Sequence, residues 1–433
     1  MLDVEAALAR ACAAAGMITA ADADAIAGAC DAALFSVAAL GRQAAASGNP
    51  VVPLVRELTA RVDDPPRAYV HRGATSQDIL DTALMLVARR SLDVIVGDLS
   101  AAADAAADLA RTHRDLPAAA RTLLQHAVPT TFGRRAAGWM MGLDQAVDRL
   151  RAVRDSQLPV QLGGAAGSRA SLGHAGDAVV AHLAVELDLA EPVLPWHTNR
   201  VPIADLAAAL GTASGVCAKV ARDVTLLAQT EVREVTEGVD GRGGSSTMPH
   251  KRNPVAAVSV LAASAVTPGL VATLLATMAH EHERAAGAWH AEWLPCTELL
   301  RATGSAAAWL RDCLEHLQVD RDRVRANLEL TGDLTLAQRV TTALTDELGR
   351  LAAHDAVTDA SHRALAQHTT LFDQLRTTTQ VTAVLDEEAL RALLDPAAAT
   401  DAARRLVDHA LARRGTPDRP GRSGVGDGRT EPR

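Results

Sequence analysis

Residues 244–254 read GSSTMPHKRNP, and this stretch decides how the rest of the 433-residue chain is interpreted. Gly241, Gly243 and Gly244 lead into it and allow a sharp, movable turn. Three hydroxyls (Ser245, Ser246, Thr247), an imidazole (His250), two cations (Lys251, Arg252) and an amide (Asn253) follow, before Pro254 opens an uncharged, helix-forming run. Successive amides in a glycine-rich turn can form a nest for an anion. Lys251 and Asn253 suit a carboxylate whose charge grows during a reaction, with Ser245 or Ser246 beside it. The plainer reading is a solvated loop whose Ser, Thr and Asn cap the next helix. That reading covers any one of these residues but not the whole string.

Two other polar clusters interrupt helical sequence. HRGATSQD, His71 to Asp78, precedes the apolar run ILDTALMLVARRSLDVIVGDL. Asp78 reads as a helix cap, which leaves His71, Thr75 and Ser76 without that duty. Hydroxyls at a helix N-terminus also suit a carboxylate. RTLLQHAVPTTFG, Arg121 to Gly133, precedes the amphipathic run RRAAGWMMGLDQAVDRLRAVRD. A further run, Asp205 to Glu237, spans ~50 Å if it is one helix, at 1.5 Å per residue. Lengths of this kind predict an all-α, three-segment helical subunit built on a long central helical bundle. The expected segments are 1–111, 112–349 and 350–413, with 414–433 a disordered tail rich in Gly, Pro and Arg.

Three stretches invite other readings. QLGGAAGSRASLG, Gln161 to Gly173, looks like a phosphate cradle but lacks the GxxxxGK[ST] order and lies between helices, so no nucleotide site is expected. Val255 to Ala279 carries no charge and is long enough to span a membrane. Its Ala, Ser and Thr content and its Pro268-Gly269 step favour a helix buried among its neighbours. In HEHERAAGAWHAEW, His280 to Trp293, the histidines His280, His282 and His290 suggest a metal, but the spacing is not HExxH and carboxylates alternate with the cations; the plainer reading is a salt-bridged helix start.

Composition narrows the function. Hydrophobic residues make up 48%, mostly Ala, Leu and Val with five Trp, three Phe and one Tyr, which suits closely packed helices. Net charge is −9 and no basic run precedes the tail, so nucleic acid is not an expected partner; an anionic substrate must be drawn by local cations. Cys12, Cys30, Cys217, Cys296 and Cys313 lie far apart with no CxxC, which argues against a disulfide framework and a zinc site and fits a reducing cytoplasm. The N-terminal MLDVEAALAR lacks the regions of a signal peptide.

The three polar motifs, in this order and separated by long helices, resemble the fumarase/aspartase superfamily over roughly residues 1–412. GSSTMPHKRNP matches every specified position of its shared signature, GSSxMPxKxNP. The resemblance implies all-helical subunits in a homotetramer, with each site taking one motif from each of three subunits. It also implies chemistry through a carbanion stabilised as an aci-carboxylate, with no cofactor and no metal. By residue-for-residue likeness, Ser245 carries the proton at carbon, and Ser246, Lys251 and Asn253 stabilise the anion. Thr75, Ser76, Thr122 and Gln125 hold further carboxylates, and His71, Thr247, Met248 and Arg284 complete the substrate contacts. Many relatives have a catalytic His where this chain has Leu123; His126 is the nearest replacement.

AAGAWHAEW, QLGGAAGSRASLG and the pairing of RTLLQHA with PTTFG are most similar to the branch whose members cyclise a carboxymuconate to a lactone. There the substrate's own carboxylate is the nucleophile, so the forward step needs an acid rather than a base. An adenylosuccinate-type lyase shares TMPHKRNP and PTTFG, but its Arg-Tyr phosphate pair is not found, Tyr69 being the one tyrosine. A silent scaffold of the same fold is the other alternative.

Overall fold

The computed structural model describes residues 1–239 and 241–414, which are mostly helical, with four short strands and irregular connecting segments. Contacts divide the chain into two compact units. One comprises Met1–Ala105 with Gly142–Val319; the other comprises Ala106–Met141 with the described chain from Asp320 onward.

In the first unit, α1 (Leu2–Ala14) buries Val4, Leu8 and Cys12 and stops short of Gly16, whose φ of +74° suits the turn that follows. The unit is dominated by long helices: α2 (Ser76–Thr112), α3 (Phe132–Ser156), α4 (Val201–Leu227), α5 (Val255–Ala265), α6 (Thr267–Ala276) and α7 (Ala288–Glu315), of which α2 and α3 run on into the second unit. Helices α4, α5, α6 and α7 pack on one another. Small residues let them approach closely: a Cβ on Gly211 of α4 would lie 2.8 Å from Val271 Cγ2 of α6. Buried alanines do the same along α2, where Ala102 and Ala103 are fully enclosed.

Three expectations are corrected here. The run from Asp205 to Glu237 is not one helix. α4 ends at Leu227, and Val235–Glu237, rich in β-branched residues, forms strand β3. Second, Val255 to Ala279 is not a single buried helix: the chain breaks at Val266, with Pro268 in the first turn of α6. Ala256, Ala257 and Val260 face inward while Val258, Val266 and Leu275 are about half exposed, so one face is packed within the chain. Val201–Leu227 and Val255–Ala276 are both long and apolar enough to cross a membrane, yet α4, α5 and α6 belong to the packed bundle, where Thr267 donates to Ser214 at 3.0 Å between two buried side chains. Third, the segment 280–293 is not simply a helix start, because α7 begins only at Ala288.

In the second unit, the motif starting at Arg121 lies in a β-hairpin that leads directly into α3. β1 (Pro117–Thr122) pairs antiparallel with β2 (Gln125–Thr131), with a register shift between Ala119 and Arg121. β1 packs on the helix Arg321–Glu329. Beyond it, Val340, Leu344, Val357, Leu371, Leu375 and Leu390 form a separate core. β4 (Leu317–Val319), in the first unit, pairs with β3. Arg414 ends the last helix, Asp401–Arg414; the rest of the expected disordered tail, 415–433, lies outside the described residues.

Candidate active site

The HRGATSQD motif is anchored by its aspartate. Asp78 does cap the start of α2, accepting from the Thr75 amide at 2.9 Å, but it also accepts from the amides of Gly163 (2.8 Å) and Gly164 (2.9 Å) and from His197 Nε2 (2.7 Å). A fully buried acid bonded by this many donors fixes each donor's place. The glycine-rich loop from Gln161 is therefore the partner of Asp78, not a phosphate cradle. Gly163 must lack a side chain, since a Cβ there would lie 2.7 Å from His197 Cε1.

One helical turn on, Asp81 meets Arg200, which is completely enclosed. Arg200 bonds Asp81 through Nη1 (2.8 Å) and Nη2 (3.2 Å), and Glu292 through Nη2 (2.6 Å) and Nε (3.0 Å). Burial works against the Arg200 charge, but Asp81 and Glu292 more than offset it, and its pKa stands above the usual value. Trp289 Nε1 donates to Asp81 at 3.0 Å, and the Arg200 guanidinium lies over the Trp196 ring. Two of the side chains in the expected salt-bridged start, His280 and Glu292, are thus interior: His280 Nε2 lies 3.2 Å from Glu292. Arg284 reaches the same region, donating to Gln77 Oε1 (3.2 Å) and the Gly164 carbonyl (3.3 Å). His71, Thr75, Ser76 and Arg284 are thereby gathered around the N-terminal end of α2.

The serine loop is closed at its neck. Asn253 donates to the Gly243 carbonyl through its backbone amide (2.8 Å) and its side chain (3.0 Å), and a Cβ on Gly243 would lie 2.3 Å from the Asn253 oxygen. With φ of +77°, that position admits only glycine. Glu237 accepts from the amides of Ala256 (3.1 Å) and Ala257 (3.0 Å) at the start of α5, and Arg242 pairs with Asp312 on α7. Between these ties Ser246, Thr247, Met248, His250 and Lys251 are exposed. Ser245 is half-buried, and its Oγ accepts from the amides of Met248 (3.2 Å) and Thr247 (3.4 Å). Donors aimed at a hydroxyl oxygen favour its alkoxide and make the hydroxyl a better acid. Among the described residues, no hydrogen bond or ion pair joins this loop to His71, Thr75, Ser76 or Arg284 within the chain.

In the second unit, Thr122 and Gln125 face each other as the last pair of the hairpin. Leu123 and Leu124 form the turn with φ of 50° and 66°, a geometry that favours Asn-Gly, and Leu123 is 97% exposed. His126 Nδ1 lies 2.8 Å from Thr331 Oγ1, which fixes the ring. Burial pushes the Cys12 thiol up to about 11 and those of Cys217 and Cys296 up to about 12, which disfavours their thiolates. No group of three or more His, Cys, Asp or Glu among the described residues is arranged to hold a metal.

Sequence reasoning missed Glu5, Asp81, His197, Arg200, Trp289 and Glu292 as residues that hold the site in place. The signal available was a lone acid inside an apolar helical run, as with Glu5 in VEAAL and Asp81 in ILDTAL.

A family model described as lyase matches residues 1–269, and one described as adenylosuccinate lyase C-terminus matches residues 333–410. The 3-carboxy-cis,cis-muconate cycloisomerase of Bradyrhizobium diazoefficiens is 48% identical over 415 residues, covering 95% of this chain and 92% of that protein. The nitrosuccinate lyase of Streptomyces davaonensis is 47% identical over 431 residues, covering 97% and 90%. The crystal structure of 3-carboxy-cis,cis-muconate lactonizing enzyme from Pseudomonas putida superposes with a TM-score of 0.86 at 41% identity, covering 95% of this chain and 92% of that one.

Removing the Arg200 charge tests the buried cluster. Arg200→Met leaves Asp81 and Glu292 enclosed without a cation and should cost about 3–5 kcal/mol in chemical denaturation. A loss below about 1 kcal/mol would mean that the two carboxylates find other partners or take up protons at little cost.

Proposed function

This chain belongs to the fumarase/aspartase superfamily of lyases, and from that premise we propose that it closes 3-carboxy-cis,cis-muconate to 4-carboxymuconolactone, a step in aromatic catabolism through protocatechuate. The observation that carries the reading is the near-full-length identity to the cycloisomerases, supported by a serine loop that keeps its donors while the second motif lacks the proton-moving His at Leu123.

The reaction is an isomerisation in which a substrate carboxylate oxygen bonds to an alkene carbon. The electron pair moves toward the neighbouring carboxylate, which becomes an aci-carboxylate. Ser245 then delivers a proton to the adjacent carbon and is reprotonated from solvent. At neutral pH a trianion takes up one proton and becomes a dianion. Ser246, Lys251 and Asn253 are assigned to the growing charge as its donors. Thr75, Ser76, Thr122 and Gln125 hold the remaining carboxylates, with His71, Thr247, Met248 and Arg284 completing the contacts and His126 second in line for proton transfer. We assign the working form to a homotetramer, because within the first unit no hydrogen bond or ion pair among the described residues joins the serine loop to His71, Thr75, Ser76 or Arg284, and we assign it to the cytoplasm, which five cysteines without CxxC spacing fit.

The identity to nitrosuccinate lyase favours a second reading, carbon–nitrogen cleavage through the same kind of anion. Loss of ultraviolet absorbance from carboxymuconate, run beside nitrite release from nitrosuccinate and adenylosuccinate cleavage, separates them. The cycloisomerase reading fails if carboxymuconate is inert while either of the others turns over.

Ser245→Ala should lower kcat by roughly 10²–10⁴ with little change in KM, the range for losing a general acid. Retention of more than about half of the activity would remove Ser245 from proton transfer. Shared sites make a separate prediction: an inactive Thr75 variant mixed with an inactive Ser245 variant should regain some activity through hybrid tetramers. If the mixture stays dead with subunit exchange confirmed, each site is built within one chain.

A further inference from the structure

We propose that Glu5 is a positioning residue for His71, aiming the imidazole at the substrate; the inference rests on the reading of His71 as a substrate contact. Glu5 lies on α1, and His71 Nδ1 sits 2.7 Å from its Oε1. A carboxylate only accepts hydrogen bonds, so Nδ1 carries the proton and Nε2 is the nitrogen left for the substrate. The burial matches this division: the Glu5 side chain is fully enclosed, whereas His71 keeps 19% of its side chain exposed.

Two further features mark the pair as more than packing. Among the described residues Glu5 Oε2 has no hydrogen-bond partner, and His71 bonds the other oxygen of this enclosed acid. An isolated buried carboxylate is costly, and Val4, Ala6, Ala7 and Leu8 around it show that this stretch of α1 is otherwise apolar. His71 also sits at φ 60°, a conformation that favours Gly or Asn. Gly73, at φ 74°, holds the same turn against Leu172, where a Cβ would lie 2.3 Å from Cδ2. A fold needing only a turn here is better served by glycine at position 71 and an apolar residue at position 5. Strain at a histidine tied to a buried acid fits a ring whose direction matters.

The test is a double-mutant cycle on the intact enzyme, with kcat and KM measured for Glu5→Gln, His71→Ala and the pair. If Glu5 acts through His71, Glu5→Gln lowers kcat/KM about 10- to 100-fold, as loss of an orienting partner does, and costs less than about twofold more once His71 is alanine. Costs that multiply would show a structural role for Glu5 and overturn the inference. Glu5→Gln within about twofold of wild type while His71→Ala is impaired would also overturn it, leaving the reading of His71 standing. An unimpaired His71→Ala would remove His71 from the site and the inference with it, while Ser245→Ala still tests the reaction. Should Glu5→Gln fail to fold, Glu5→Asp, which keeps the charge but withdraws it by one methylene, runs the same cycle with the same outcomes.

Discussion

Two carboxylates one turn apart at the start of α2, Asp78 and Asp81, hold the first unit's functional end in place. Asp78 ties the HRGATSQD turn to the Gly163-Gly164 amides and to His197, and Asp81 ties the helix to Arg200, Glu292 and Trp289. Neither acid is exposed, so each bond forms in a low-dielectric interior where charge-assisted contacts are strong and unpaired charges are costly. Segments distant in sequence, near residues 78, 163, 197 and 292, are thereby held at one helix end. The result is a rigid support for His71, Thr75 and Ser76.

The serine loop follows the opposite design. Its neck is pinned by Gly243 and Asn253 and its base by Glu237 and Arg242, while the chain between them is exposed. Asn253 is engaged in that neck, so its place in anion stabilisation would be added to a structural duty. A loop held only at its ends can change shape around a bound anion without unfolding what it joins. A rigid HRGATSQD turn and a serine loop tied at its ends suit the proposed reaction, whose charge appears on one carboxylate as the proton reaches a neighbouring carbon.

The all-α class and the serine loop were legible because each is local: Ala- and Leu-rich periodicity marks helices, and a dense polar string among glycines marks a loop. The hairpin at Pro117–Thr131 was not, because PAAART alternates poorly and its turn is Leu-Leu rather than Asn-Gly. The end of α4 at Leu227 was hidden for a related reason. VREVTEG is compatible with a helix, and its strand forms only by pairing with Leu317–Val319 some eighty residues away. Arg200 and Glu292 are 92 residues apart, and nothing in either neighbourhood names the other. Partners of a buried charge can be anticipated to exist, since an enclosed acid needs one, but not identified.

In the proposed reaction a proton from a solvent-exchangeable donor reaches carbon as the ring closes. Turnover of 3-carboxy-cis,cis-muconate in deuterium oxide, followed by proton NMR and mass spectrometry of the lactone, reads it directly. The product should carry a single deuterium at the carbon next to the carboxylate that bore the charge, in one stereochemical position, with one proton equivalent taken up per turnover. A lactone without deuterium at that carbon, or no lactone at all, would contradict it.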